Sequence, residues 1–484
     1  MMFGPLAPDK ANSGNPDILT VASGVYPMED GYRPVGQFTG LYGDLNATPK
    51  GGATFTSPQG LATIVAGTST ALLKANSGTF QTLASGFSLL ADSRWRFAQF
   101  GGLAIATNGT DPMQKIDLAT GVVSPLGGEP PKFETLAVVK DFLVGGVRNG
   151  NVMHMGWCGI NDPEWWKTGQ RQADRQVLPA GGRINGILSG EYGVILQRDR
   201  ICRMDYVGGN VIFEINEVSS NIGCVSVHSV AQWGTLGFFL SDEGFMMWNG
   251  QQPVPIGREM IDREFNEQYT VGDWSQMSTA IDPVNGVVMW SMADKIWLYS
   301  WIFQKWTTLP IASSIVFSGV TKALSIDELD TGVGVLDNNI DGVGLLPLDD
   351  ASFKGGAPLM YVFNSADVLG AFTGTPMAAT FTGTDLTVGE MLPGIPARYG
   401  QEAQISRCEL LSDITSGATL SFSAKPRLGV AGTASSNFTS VRNNGTIPCR
   451  VSGRYLRPTL VYATGSIWTH TKGMLFTGQP GPMQ

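Results

Sequence analysis

The sequence predicts an all-β protein: a β-propeller of about six blades, with an extended N-terminal arm and a C-terminal β-sandwich or barrel-like unit. Three observations lead there. Glycine is abundant, at 62 of 484 residues, with 27 prolines and no collagen-like period; such a chain suits strands joined by many tight turns. Strand-like runs begin near residues 61, 103, 142, 193, 237 and 286, a spacing of roughly 40–50 residues, which is the period of propeller blades. The run KIWLYSW places Ile296, Leu298 and Ser300 on one side and Trp297, Tyr299 and Trp301 on the other. Both sides are largely apolar or aromatic, as a blade needs when it is covered by neighbours on both faces.

Residues 1–50 are rich in Pro, Gly and Asn with short apolar pieces. They read as an extended arm that needs a partner surface to become ordered. Residues 51–322 carry the repeat. Its units include LATIVAG–TST–ALLKA–NSG–TFQTLA, GVILQ–RDR–ICRMDYV–GGN–VIFEIN and GFFLS–DEG–FMMWN–GQQ–PVPIG. Asp242, Glu243 and Gly244 fall where other units have their first turn, so the acids read as a hairpin bend, with Gly supplying a positive φ. REMIDREFNEQY (258–269) has Met260, Ile261 and Phe265 at helical spacing. Residues 323–356 form an acidic, Gly-rich linker, and strands resume over 357–484 as the C-terminal β domain.

The formal net charge is −9. That disfavours tight wrapping of a nucleic-acid backbone, which needs clustered Lys and Arg, but allows DNA to pass without sticking. Five cysteines, Cys158, Cys202, Cys224, Cys408 and Cys449, follow no zinc or CxxC spacing; they read as buried thiols made in a reducing compartment. The first residues lack the basic start and apolar core of a secretion signal. No apolar stretch reaches the roughly 18 residues needed to cross a bilayer, so no membrane insertion is expected.

Chemistry-bearing patterns are sparse. No Walker A or dinucleotide fingerprint occurs. His154, His228 and His470 have no nucleophile-elbow neighbours. Asp337, Asn339, Asp341 and Gly342 copy the start of a calcium loop, but its twelfth position is Leu348 rather than a bidentate Glu; an Asx-rich turn is the simpler reading. Ser241, Asp242, Glu243 and Gly244, followed by Trp248, loosely resemble the Asp-box hairpin of sialidases; a sialidase site also needs an arginine cluster and a tyrosine nucleophile, and of Arg198, Arg200 and Arg203 alternate ones face opposite sides. A propeller-type glycan-processing or glycan-binding protein is therefore the alternative. WCGINDPEWW (157–166) crowds three tryptophans round an Asn-Asp-Pro turn, which either caps the propeller or makes an interface. No catalytic, metal or cofactor residue is assigned, and no cofactor is expected.

Several stretches together resemble the tail nozzle or hub proteins of short-tailed bacteriophages, the tail-tubular-B and packaged-DNA stabilisation type. They are PDILTVASGVYPMEDGYRPVGQF, WCGINDPEWW, GFFLSDEGFMMWNG, DPVNGVVMWSM, the acidic linker and GRYLRPTLVYATGSIWTHTKG. The resemblance implies a non-enzymatic virion protein, assembled in the host cytoplasm and located in the tail. It implies a homo-oligomer, a hexameric ring, that extends the DNA channel below portal and adaptor proteins. Such a ring helps retain packaged double-stranded DNA, which passes without specific binding, and provides docking for fibres or spikes. Interface residues expected on this basis are Tyr32, Arg33 and Pro34 of the arm and Trp157, Asp162, Pro163, Trp165 and Trp166 of the tryptophan turn.

Overall fold

A computed structural model of the chain describes residues 1–483 except 77, 149, 210, 322–355, 393 and 395–400. Among the described residues, seven four-stranded antiparallel blades form the propeller. Their innermost strands are Gly51–Thr56, Arg96–Phe100, Phe133–Val139, Ile184–Leu188, Ala231–Trp233, Ser278–Asp282 and Ser313–Val320. We number the blades 1 to 7 in that order. Each of the first six runs outward through three further strands in sequence, as in blade 4: Ile184–Leu188, Gly193–Gln197, Ile201–Tyr206 and Phe213–Ser219.

The repeat read from the sequence is therefore displaced by one strand. Residues 61, 103, 142, 193, 237 and 286 mark the second strand of blades 1 to 6, and the inner strands precede them. About six blades becomes seven because blade 7 is assembled from three distant segments. Ser313–Val320 pairs with Pro358–Asn364, which pairs with Val368–Ala371, and Thr39–Asp44 completes the outer edge. The acidic segment 323–356 falls between the first two of these strands. Its end at 356 is consequently not the propeller's boundary: residues 358–371 belong to the ring, not to the C-terminal unit.

Blade-to-blade packing follows the alternation expected of KIWLYSW. Ile296 and Leu298 join a core shared with Val316, Met360 and Val362 of blade 7. Trp297 and Tyr299 join a core shared with Phe238 and Phe245 of blade 5. The seam between blades 7 and 1 is tight: a Cβ on Gly52 would lie 2.5 Å from the Phe317 ring. The Val320 amide donates to Thr54 Oγ1 across that seam at 3.1 Å. A hydrogen atom in place of a side chain at 52 is what lets the two inner strands meet.

The N-terminal segment finds its partner surface within its own chain. Val21–Ser23 lies between the blade 6 edge strand Lys305–Leu309 and Ala379–Thr382, joining blade 6 to the C-terminal unit in one nine-stranded sheet. The hairpin Val25–Met28 and Gly31–Pro34 then pairs with the last strand, Thr471–Met483. Gly24 turns the chain between these two tasks at φ 77°, with its α-carbon so close to Ala378 that a Cβ would sit 2.0 Å from that residue's carbonyl oxygen. Lys305 of blade 6 donates to the Met28 and Glu29 carbonyl oxygens at 2.9 and 2.8 Å. The arm is thus an internal weld, not an extended free segment.

The C-terminal unit is a sandwich. One sheet carries Gln401–Ser412, Thr446–Gly453 and Thr471–Met483 with the N-terminal hairpin; the other carries Ala379–Thr382, Tyr455–Tyr462 and Ala418–Lys425. Cys408, Ile405, Leu420, Phe422, Leu460 and Tyr462 share one continuous core with Phe381, Tyr32 and the tryptophans of blade 6. The helix expected over 258–269 is present as Asp262–Gln268, with Phe265 turned into that core. All five cysteines are buried and unpaired.

Candidate functional site

One face of the propeller collects the connections that lead into the inner strands, together with the hairpins between second and third strands. These loops carry Lys50, Asp92 and Arg94 before blades 1 and 2, Arg148 and Arg183 around blades 3 and 4, and His228 before blade 5. Arg96 opens the inner strand of blade 2 and Glu134 lies near the start of that of blade 3. The topology thus brings together charged residues spread over 180 positions, and most of them are buried or partly buried.

Two linked polar systems result. Glu134, buried beside the axis, accepts from Arg148 Nη1 at 2.5 Å and is also paired with Arg183. Arg148 Nη2 continues to Asp92 Oδ1 at 2.8 Å. Next to it, Arg96 Nη2 donates to the Val227 carbonyl oxygen at 2.6 Å and faces His228 Nδ1 at 2.7 Å. An arginine cannot accept, so Nδ1 must, and the proton of a neutral ring resides on Nε2, 3.2 Å from the Asp92 carbonyl oxygen. Burial, then the charges of Arg96 and Arg94, hold His228 well below its ordinary pKa. This histidine is a structural, neutral ring.

Arg94 differs from its neighbours. Its Nη2 donates to the Gln276 carbonyl oxygen at 2.6 Å, but its buried Nη1 has no hydrogen-bond partner. Burial, aided by Arg96, lowers its pKa to about 9, so the group stays cationic at neutral pH. It lines a cavity of about 320 Å³ with Lys50, Ser275, Ser313, Ser314 and Ser365, and a deeper one of about 80 Å³ that reaches Trp95, Arg96 and His228.

The acid hairpin lies on the same face but outside these cavities. Asp242 forms a two-pronged pair with Arg198, one arm at 3.0 Å, and Glu243 pairs with Arg258 at 2.8 Å. All four side chains are substantially exposed. Ser241 Oγ accepts from the Glu243 amide at 3.1 Å and donates to the Gly244 carbonyl at 2.9 Å, which closes the bend. Arg200 pairs with Glu217 and Arg203 with Asp205, so the three arginines do not converge.

The residues expected at interfaces serve intrachain packing to different degrees. Tyr32 is fully buried and donates to the Gly4 carbonyl at 2.6 Å, so it presents no face to a partner, contrary to expectation. Trp157, 3% exposed, is likewise withdrawn; it packs on Phe213 and donates to the Gln172 carbonyl at 2.9 Å. Pro163 is buried. Trp166 stacks obliquely on Phe133, and Trp165 lies under Arg171, which also pairs with Asp162 at 2.6 Å. The tryptophan turn therefore caps blade 3. Arg33, over the Tyr26 ring and bonded to Asn285, and Pro34 line a surface recess of about 280 Å³. Asp337, Asn339 and Asp341 lie outside the described residues.

Lys50, Arg94 and Arg96 were not singled out from the sequence. The signal available was RWR at 94–96, two arginines flanking a tryptophan at the start of a strand; the charge of the whole chain gave no hint of it.

Among the described residues no group of His, Cys, Asp and Glu is arranged to hold a metal ion, and no helix is long and apolar enough to cross a membrane. The strands and cavities define a seven-bladed propeller welded to a sandwich, with a basic recess on one face. The chain matches no protein-family model and no curated protein. Among solved structures it is similar to the extracellular domain of a putative hybrid two-component system, BT4673 from B. thetaiotaomicron, at 10% identity and TM-score 0.43. That match covers 90% of this chain and 47% of that one, so the chain spans about half its length. It is also similar to a chain of the mitotic checkpoint complex, at 12% identity and TM-score 0.38, covering 71% and 95% of the two chains. The β-propeller domain of Cps50 (Swd1) from Myceliophteria thermophila gives 8% identity and TM-score 0.38, covering 58% and 92%. Likenesses this distant say nothing of what the chain does.

Proposed function

We propose that this chain is a structural virion protein of the tail nozzle or hub type: a non-enzymatic subunit, six to a ring, below the portal and adaptor of a short-tailed phage. In that role it extends the DNA channel, helps retain the packaged genome and offers docking for fibres or spikes. One observation carries the reading. Two of the stretches that resemble that family, the first and the last, join the propeller to the sandwich. PDILTVASGVYPMEDGYRPVGQF supplies the weld between blade 6 and the sandwich. GRYLRPTLVYATGSIWTHTKG supplies a central sandwich strand and the start of the strand that receives the N-terminal hairpin.

The physics of that framework suits a channel wall. Two β bodies sharing a sheet and a core resist hinge motion, because bending them would break ladder hydrogen bonds and expose buried aromatics. A net charge of −9 lets DNA slide past with little adhesion. Ring assembly needs two different surfaces on each copy that close by rotation. The test is electron microscopy of the purified chain, alone and with an adaptor ring. Closed rings of several copies support the reading; a strict monomer at every concentration, indifferent to the adaptor, refutes it.

The glycan reading retains one observation in its favour, the Asp242–Glu243 pair among arginines on the face that also bears the basic recess. Its test is a glycoside panel with wild type and the Asp242→Ala, Glu243→Ala double variant. Turnover or binding that is lost in the variant would establish it, and inactivity of wild type across the panel would end it.

A further inference from the structure

The recess lined by Lys50 and Arg94 is unusual for an acidic chain. Its lining includes two cations, five hydroxyl side chains from Thr48, Ser275, Ser313, Ser314 and Ser365, and no carboxylate. Several donors there are uncommitted. Arg94 Nη1 has no hydrogen-bond partner although it is buried. Lys50 Nζ spends one proton on the Ala91 carbonyl oxygen at 2.8 Å, which leaves two. Thr48 and Ser365 make no side-chain hydrogen bond to another described residue. A buried guanidinium nitrogen with no acceptor carries a desolvation cost that an incoming anion would relieve.

The elements that build the recess also hold it in place. Lys50 leads into blade 1, Arg94 into blade 2, Ser275 and Gln276 into blade 6, Ser313 and Ser314 into blade 7, and Ser365 lies in the blade 7 hairpin. Arg94 is pinned by the Gln276 carbonyl, and the Trp95 ring beside it donates to the Thr68 carbonyl at 2.8 Å. The site thus spans the seam where blade 7 closes on blade 1. Its volume, about 320 Å³, is at the lower end of small-molecule sites and exceeds what a bare oxyanion needs.

We propose that this recess binds a small polyhydroxylated anion: an oxyanion held between Arg94 and Lys50, on a sugar-sized body whose hydroxyls meet the serines and Thr48. A guanidinium presents two parallel donors to either a phosphate or a carboxylate, and the ammonium adds a point charge. The shared chemistry is the oxyanion, and the ligand supplies the acceptors that the chain lacks there. The site is independent of the ring-forming role, since it lies within one copy of the chain.

The experiment is titration calorimetry on the full-length chain at low salt with glucose 6-phosphate, glucuronate, inorganic phosphate and glucose. At least one of the two sugar anions binds, glucose does not, and inorganic phosphate binds more weakly than glucose 6-phosphate. Preference for glucose 6-phosphate over glucuronate identifies a phosphate site, and the reverse a carboxylate site. Lys50→Gln and Arg94→Gln each weaken binding about tenfold or more. Arg94 also holds the Gln276 loop, so Lys50→Gln and Ser365→Ala, which leave that contact intact, guard against loss by misfolding. The proposal is overturned if no sugar anion binds more tightly than glucose at about 10 mM ligand, ten times a millimolar Kd. It is equally overturned if a sugar anion binds Lys50→Gln, in a chain of unchanged melting temperature, as tightly as wild type. Because the readout is binding to the isolated chain, a negative result leaves ring assembly untouched, and a failure to form rings leaves this site untouched.

Discussion

Replacing Asp262 by Asn tests whether the acid hairpin rests on a structural carboxylate. Asp262 opens the helix Asp262–Gln268 and lies directly beneath the bend of residues 241–244. Its Oδ1 accepts from the Phe245 amide at 3.1 Å, while the buried Oδ2 has no partner. Gly244 and Gly257 clasp the group so closely that an added Cβ would lie 2.1 and 1.9 Å from its oxygens. Burial, with the nearby Asp9 charge, raises its pKa from 3.8 to about 6, against the opposing pull of the Phe245 amide and Arg258. Below about pH 4 the group is protonated in both folded and unfolded chains and costs nothing. Between about 4 and 6 the unfolded chain releases the proton while the folded chain keeps it, so stability falls as pH rises. Above about 6 the whole cost is present. A shift from 3.8 to about 6 corresponds to about 3 kcal/mol at 1.36 kcal/mol per unit, and to about half that once local solvation is allowed for. Asn keeps the acceptor for Phe245 and removes the charge. Urea unfolding of the two proteins should therefore coincide near pH 4 and diverge by about 1.5–3 kcal/mol in favour of Asp262→Asn at pH 7.5. Equal stabilities at pH 7.5, or a wild type more stable than the variant there, would refute the burial argument.

Two other variants probe the fold and the hairpin. Gly52→Val forces atoms into the space now held by the Phe317 ring, 2.5 Å from the position of a Cβ. It should cost about 1–3 kcal/mol or more, read as a lowered urea midpoint, whereas a midpoint equal to wild type would mean that blades 1 and 7 do not meet there. Asp242→Ala with Glu243→Ala removes only exposed ion pairs and should change stability by about 0–1 kcal/mol per pair, leaving the melting curve nearly superimposable on that of wild type.

The blade period was legible because each unit repeats the same local physics: an apolar strand, a polar turn and another apolar strand. Its starting point was not. The inner strands are short or mixed, as in Ala231–Trp233 with pattern AQW, and the sharper apolar signal sits one strand later, at GFFL and GVIL. Blade 7 escaped notice because its strands are joined across more than 300 residues, and no local pattern encodes the pairing of Gly40 with Gly370. The same reasoning explains the arm. Val21, Ala22, Val25 and Tyr26 look too few for a folded unit, yet Val21 and Ala22 pair with Thr382 and Phe381, while Val25 and Tyr26 pair with Pro34 and Arg33 in a hairpin that Tyr32 joins to Thr471. The bend at Asp242 and Glu243 was legible because turn chemistry is local. The recess round Arg94 was not, since its lining comes from blades 1, 2, 6 and 7.

Residues 39–44 close the propeller of their own chain. Cysteines placed at Asp44 and Val368, which face each other across the outer pair of blade 7, test it most directly, because the five native thiols are buried and unpaired. After mild oxidation a cross-link should form within single chains, seen as a faster-migrating monomer on a non-reducing gel at every protein concentration. A ladder of covalently joined chains, or no cross-link at all, would contradict it.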